Sequence, residues 1–140
     1  MYQMQEGSLS LPTDWHDKSM NVFVSVATGT EGVSFVVTRE SLPWGMKFHE
    51  YTANEVQKLA KQVASYELIA GADTEVSGRA AYTHEFRWLN NGKPIQQLLT
   101  MVEHGKRVLM LTFTAPGTIS ETQKAQVQEI IQSLTLHEPN

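Results

Sequence analysis

The chain has 140 residues, a size typical of one domain with its own hydrophobic core, and we predict a single domain over residues 1–140. Its formal net charge is −4 and its 11 lysines and arginines are scattered, so no basic stripe is available for nucleic acid or for anionic membrane surfaces. The chain contains no cysteine, which excludes disulfides, thiolate nucleophiles and cysteine metal sites.

The N-terminal stretch MYQMQEGSLSLP lacks the basic start and the apolar run of a signal peptide. The longest dense apolar segment, residues 108–113, is far shorter than the roughly 20 residues that cross a bilayer. We therefore expect a cytoplasmic protein that does not itself insert into a membrane.

The first half of the chain predicts strands followed by one helix. A short strand over residues 4–11 ends at Pro12, and residues 20–27 and 33–39 form a hairpin around the glycine-containing turn TGTEG. After the linker ESLPWGM, apolar residues recur every three or four positions from about Phe48 to Ser65, which predicts an amphipathic helix.

The second half predicts a run of strands followed by a second helix. The strands are residues 67–75, 80–89, 95–102 and 107–114. NNGK joins the middle two, because asparagine and glycine tolerate the positive φ of a tight hairpin. Ser120 and Gln123 fit a capping box that starts the helix. This order predicts an α+β domain, with an antiparallel, curved sheet packed on one face by both helices.

The two faces of the predicted sheet are both rich in apolar residues. We expect the bulkier set beneath the helices: Phe23, Phe35, Val37, Phe86, Trp88, Leu109, Leu111 and Phe113. The opposite parity of the first hairpin places Val22, Val24, Val26, Ser34, Val36 and Thr38 on the second face. On the strand that begins at Ile95, we assign Gln96, Leu98 and Thr100 to this second face in preference to Leu99 and Met101.

Sequence motifs for catalysis are missing. The five histidines include HEYTA and HEFRW, but neither has the second histidine of a zinc-binding H-E-x-x-H motif. A G-x-S-x-G elbow, a Walker A motif and a dinucleotide fingerprint are also absent from the sequence. We therefore expect neither enzymatic activity nor a cofactor or metal ion.

Two interpretations of the second face remain open on the residues alone. The N-terminal strand, a loop or a second subunit could cover it, or it could be a binding groove, since monomers rarely expose large apolar patches without a partner. Burying five or six aliphatic side chains there could gain roughly 10 kcal/mol before association costs. Valines interspersed with Ser34, Thr38 and Gln96 would suit transmembrane helices, which pack through small residues and side-chain hydrogen bonds.

Four stretches resemble one known family. YQMQEGSLSLPTDWHDKSMNVFV, LPWGMKFHEY, MVEHGKRVLMLTFTAPG and the closing amphipathic helix are similar to the Eag (effector-associated) chaperones of type VI secretion, within the DcrB-like group. The resemblance implies a cytoplasmic homodimeric chaperone that shields the N-terminal transmembrane helices of a PAAR-containing, Rhs-type effector. The effector would stay soluble until it is loaded on the VgrG spike.

In that family, the concave face of the sheet is the client-binding groove. The resemblance and the strand parity together predict a set of groove residues: Val22, Val24, Val26, Ser34, Val36, Thr38, Leu59, Gln62, Val63, Tyr66, Gln96, Leu98 and Thr100. The alternative function is a DcrB-, PsbP- or Mog1-like interaction domain with a soluble protein partner. A periplasmic or lipid-anchored version of it is disfavoured by the missing signal peptide.

Overall fold

A computed structural model describes residues 1–25 and 32–138 of the chain. Within these ranges the elements in chain order are β1 (Tyr2–Gln3), β2 (Ser8–Leu9), β3 (Asn21–Ser25), β4 (Val33–Ser41), α1 (Phe48–Gln62), β5 (Ala64–Val76), β6 (Arg79–Asn90), β7 (Lys93–His104), β8 (Arg107–Pro116) and α2 (Glu121–Gln132). Val26 and most of the predicted TGTEG turn lie outside the described residues. No helix in the described ranges is both long and apolar enough to span a membrane.

The N-terminal segment forms a small two-stranded sheet. Tyr2 pairs with Leu9 and Gln3 with Ser8 across a turn in which the Met4 amide donates to the Gly7 carbonyl at 2.8 Å. The prediction of one strand over residues 4–11 is therefore wrong, because this turn occupies the first half of that segment.

In the described part of the chain, the main sheet has six antiparallel strands in the order β3-β4-β8-β7-β6-β5. Its β6–β7 hairpin turns at the predicted NNGK, where Asn91 and Gly92 have φ angles of 52° and 80°. The sheet is open, with β3 at one edge and the 13-residue β5 at the other. The predicted α+β class with a large antiparallel sheet is confirmed.

The strand register defines two faces of the sheet, since directly paired residues point to the same side. One row, which we take to define the α2 face, is Phe23–Phe35–Phe113–Leu98. The neighbouring row, Val22–Val36–Thr112–Leu99, lies on the opposite face, which we call the α1 face.

Each helix covers a different face. On the α2 face, Val127 and Ile131 of α2 pack with Leu98, Leu111 and other buried residues. On the α1 face, Tyr51 of α1 packs with Leu99, Met101 and their neighbours. The prediction that both helices share one face is therefore wrong.

Phe86 and Trp88 belong to the α1 face, apart from the other bulky residues with which we grouped them. Phe86 pairs with Gln97, whereas Phe113 pairs with Leu98, and these two β7 residues point in opposite directions. The six other residues of that group, all on β3, β4 and β8, do lie on the α2 face.

Candidate binding groove

The α1 face is only partly covered by α1, which lies over β5 and β6. The remaining surface, which we call the open groove, lies on β3, β4, β8 and the near side of β7. Its two central rows are Val24–Ser34–Thr114–Gln97 and Val22–Val36–Thr112–Leu99. Each row starts with a valine at the sheet edge and includes one or two hydroxyl side chains before it reaches β7.

The edge of the open groove is apolar and exposed. Val22 and Val24 are 55% and 62% exposed, and Val36 beside them is half-buried. Removing contiguous aliphatic surface of this kind from water is favourable, so this edge can hold an apolar partner.

The middle of the open groove carries an ordered polar row. The indole Nε1 of Trp88 donates to Gln97 Oε1 at 2.7 Å, and Gln97 Nε2 donates to Thr114 Oγ1 at 2.9 Å. Since a hydroxyl that accepts one bond keeps its own hydrogen, Thr114 can still donate to a group on a partner. The row therefore offers directed hydrogen bonds beside the aliphatic edge.

Helix α1 forms one wall of the groove. A recess of about 200 Å³ separates it from the sheet, with Leu59 and Gln62 on the helix side and Thr38 and Thr112 on the sheet side. Glu55 and Lys58 also border the recess and pair with each other at 3.2 Å. The wall is thus mixed in character, and its two charges compensate each other.

The structure brings together most of the predicted groove residues on one face. Val22, Val24, Ser34, Val36 and Thr38 all lie on the α1 face, as the strand parity predicted. Leu59 and Gln62 face them across the recess. Their role in binding a partner stays a prediction.

Two other predicted residues lie at the end of α1. Val63 is the half-buried C-cap, with an extended backbone (φ −104°, ψ 148°) that ends the helix. Tyr66 lies in an aromatic cluster over β6, where its hydroxyl is 2.7 Å from His84 Nε2 and its ring is 5.8 Å from that of Phe86.

Three predicted residues point away from the open groove. Gln96, Leu98 and Thr100 lie on the α2 face, where all three are buried. The assignment is wrong because Leu99, and not Leu98, pairs with Thr112 in the row that contains Val36. A one-residue error in register moves every side chain of a strand to the other face.

Four residues of the open groove were not predicted from the sequence: Gln97, Leu99, Thr112 and Thr114. The signal for the two threonines was available, because they alternate with Leu111 and Phe113, which we had assigned to the core. For Gln97 and Leu99 no such signal exists, since QQLL gives one glutamine and one leucine to each face of the strand, whichever register is chosen. In the ranges 1–25 and 32–138, no cluster of three or more histidine, aspartate or glutamate residues is placed to hold a metal ion.

A model of the family described as DcrB matches residues 6–133 of the chain. A Pseudomonas aeruginosa protein named Effector EagT6 is 28% identical over 115 residues, which cover 81% of this chain and 80% of that protein.

Solved structures share the fold. A Pseudomonas aeruginosa protein of unknown function, PA94, described as a putative regulator, superposes with a TM-score of 0.85 and 24% identity over 99% of this chain and 96% of its own. The Ran-binding protein Mog1p of Saccharomyces cerevisiae gives a TM-score of 0.53 and 11% identity over 83% of this chain and 70% of its own. These similarities concern the architecture alone.

Proposed function

This chain belongs to the DcrB family, and we propose that it is an effector-associated adaptor of type VI secretion that binds its client in the open groove. The similarity to Effector EagT6 supports this role, and the family resemblance predicted from the sequence is confirmed by the two matches. The client is the N-terminal transmembrane region of a PAAR-containing, Rhs-type effector.

The single observation that carries the proposal is the exposed aliphatic edge next to an ordered row of hydroxyl and amide groups. Val22 and Val24 can replace lipid against the apolar side of a client helix. Ser34, Thr112 and Thr114 can bond the small polar residues through which transmembrane helices pack together. A soluble helix with a charged surface would gain much less from such a wall.

The adaptor acts by binding, without catalysis or a cofactor. While the client helices occupy the groove, their apolar surface is withheld from water and from other chains, which keeps the effector soluble in the cytoplasm until it joins the VgrG spike. We further propose that the adaptor is a homodimer, so that two grooves can hold more than one helix of the same client.

The test uses two neighbouring residues with matched exposure on opposite faces of β3. The full chain is co-expressed with the N-terminal region of the PAAR-containing effector encoded beside it, and either protein is used to recover the other. Val24→Asp should abolish recovery, because it places a carboxylate against apolar client helices. Phe23→Asp, which changes a residue 58% exposed on the α2 face, should leave recovery intact.

Equal recovery with the wild-type chain and Val24→Asp would contradict the groove assignment. Equal loss with both variants would indicate a general effect on the hairpin, which far-UV circular dichroism of each variant would detect. Recovery of an effector fragment from which the transmembrane segments have been deleted would instead support a soluble protein partner.

A further inference from the structure

The α2 face contains a second concave site, the α2-face cavity, which lies on the side of the sheet opposite the open groove. We propose that this cavity binds a free long-chain fatty acid. The cavity measures about 630 Å³, which is within the range of about 300–1,000 Å³ common to small-molecule pockets. It lies between β3, β4 and β8 on one side and the end of α2 with the following segment on the other.

The walls of the cavity are apolar along most of its length. Phe23, Phe35 and Leu111 line it from the sheet, and Ile130 and Leu134 line it from above. Phe23 and Ile130 are 58% and 43% exposed, so the described part of the chain leaves these walls incompletely filled. An acyl chain would remove this surface from water without needing any hydrogen bond.

One end of the cavity is positively charged. Arg39 and Arg107 line it together with His104, and all three lie on the α2 face near the β7–β8 turn. Asn21 Oδ1 accepts a hydrogen bond from Arg39 at 2.6 Å, which holds the guanidinium in place. Two guanidinium groups at the end of an apolar channel match a carboxylate attached to a long hydrocarbon chain.

The charge at this end is not cancelled by acids within the cavity, since its lining in the described part of the chain includes no carboxylate. Asp17 lies outside, in an adjoining recess with Lys18 and Glu40. Hydrogen bonds from Ser19 lower the pKa of Asp17, and Arg107 makes a smaller contribution in the same direction. Counting Lys18, Arg39 and Arg107 against the two acids leaves one net positive charge around the carboxylate position.

The dimensions also suit a single chain. Phe35, at the apolar end, and Ser41, level with Arg107, are six residues apart along β4, about 20 Å at about 3.3 Å per residue. The carboxylate would lie at Arg39 and Arg107, and the hydrocarbon tail would extend toward Phe35. This site is independent of the proposed client groove, because the sheet separates the two.

The experiment measures binding of palmitate to the purified full chain by isothermal titration calorimetry, with palmitate methyl ester as the uncharged comparison. Arg39→Glu should weaken palmitate binding by about tenfold or more, because a charge-assisted pair is replaced by repulsion. Ile130→Asp should also weaken palmitate binding, because it places a carboxylate in the apolar wall of the cavity. Lys58→Glu, which changes a basic residue at the groove rim, should leave the affinity unchanged.

Equal affinities for palmitate and its methyl ester, or no effect of Arg39→Glu in a variant that retains wild-type circular dichroism, would overturn the proposal. Loss of palmitate binding in Val24→Asp but not in Arg39→Glu would also overturn it, by placing the fatty acid in the open groove. If Ile130→Asp instead changes the mass measured by light scattering, the face is a contact between copies of the chain and the fatty-acid site is refuted.

Discussion

His84 is an imidazole enclosed by aromatic rings on the α1 face. It is 1% exposed, its ring lies 5.2 Å from Phe86 and 5.9 Å from Tyr66, and its Nδ1 atom has no hydrogen-bond partner among the described residues. Burial lowers the pKa of His84 below its ordinary value, because the charged imidazolium would lose its hydration there.

This burial predicts a loss of stability in mild acid. Where His84 is neutral in the folded chain but protonated in the unfolded chain, the unfolded state binds more protons, so the free energy of unfolding falls as the pH drops. The contribution is complete above about pH 6.5, the unfolded value, and is lost progressively below it until the lowered folded-state pKa is reached.

Urea unfolding measured between pH 7.5 and 5 would test this, because one proton of difference corresponds to a slope of about 1.4 kcal/mol per pH unit. His84→Phe should show a flatter profile than the wild-type chain over the window below pH 6.5. Parallel profiles for the two proteins would mean that His84 does not carry the effect. His84→Gln provides a second, polar replacement if the phenylalanine variant is poorly folded.

At the scale of elements, α2 is attached to the sheet by a buried polar network on the α2 face. Gln96 is 3% exposed, its Nε2 donates to Glu85 Oε2, and its Oε1 accepts from the Ile119 amide at 3.0 Å, just before the helix starts. Lys124 of α2 contacts the same carboxylate oxygen of Glu85 at 3.0 Å. The network therefore ties the start of α2 to β6 and β7.

Gln96→Leu should lower the free energy of unfolding by about 1–3 kcal/mol, because the buried Ile119 amide loses its acceptor and Glu85 Oε2 keeps only its contact with Lys124. Gln97→Leu is the matched control, since the same substitution one position later falls on the half-buried α1 face, where water can replace lost bonds. Urea unfolding followed by circular dichroism gives both values. A loss for Gln97→Leu as large as that for Gln96→Leu would contradict the role of the network.

The same two glutamines show where sequence-based prediction ended. The β3–β4 hairpin could be assigned because aliphatic and polar residues alternate there, and the capping box of α2 could be assigned because Ser120 and Gln123 bond each other as predicted. In IQQLLTMV, polar and apolar residues do not alternate. The reason is that β7 is a central strand covered on both faces, as the 8% exposure of both Leu98 and Leu99 shows. Local pattern cannot decide the register of such a strand.

The positions of the helices were beyond prediction for a related reason. An amphipathic stripe shows that a helix buries one side, but not which face of a sheet it covers. The bulkier of the two sheet faces was therefore assigned to both helices together. In the structure, α1 covers part of the second face and leaves the β3–β4 part exposed, whereas the cover considered from the sequence was the N-terminal strand, a loop or a second subunit.

For the whole molecule, the two helices share the central strands of one sheet. Val102 and Val108 are both 0% exposed, yet Val102 packs in the core beneath α2 and Val108 in the core beneath α1. They lie on adjacent strands joined by a tight turn, so neither core can lose its order while the other keeps an intact sheet. We therefore expect a single cooperative transition, as small one-domain proteins usually show.

Val102→Ala and Val108→Ala are a matched pair for testing this expectation. Each should lower the free energy of unfolding by about 2 kcal/mol, because methyl groups contribute about 0.8 kcal/mol each and a cavity remains. Each should shift the whole transition, whether it is followed by far-UV circular dichroism or by tryptophan fluorescence. Of the three tryptophans, Trp88 is half-buried on the α1 face, whereas Trp15 and Trp44 are already exposed. If Val102→Ala moves the circular dichroism transition but not the fluorescence transition, the α1 and α2 layers unfold separately, and the prediction of a single domain over residues 1–140 fails.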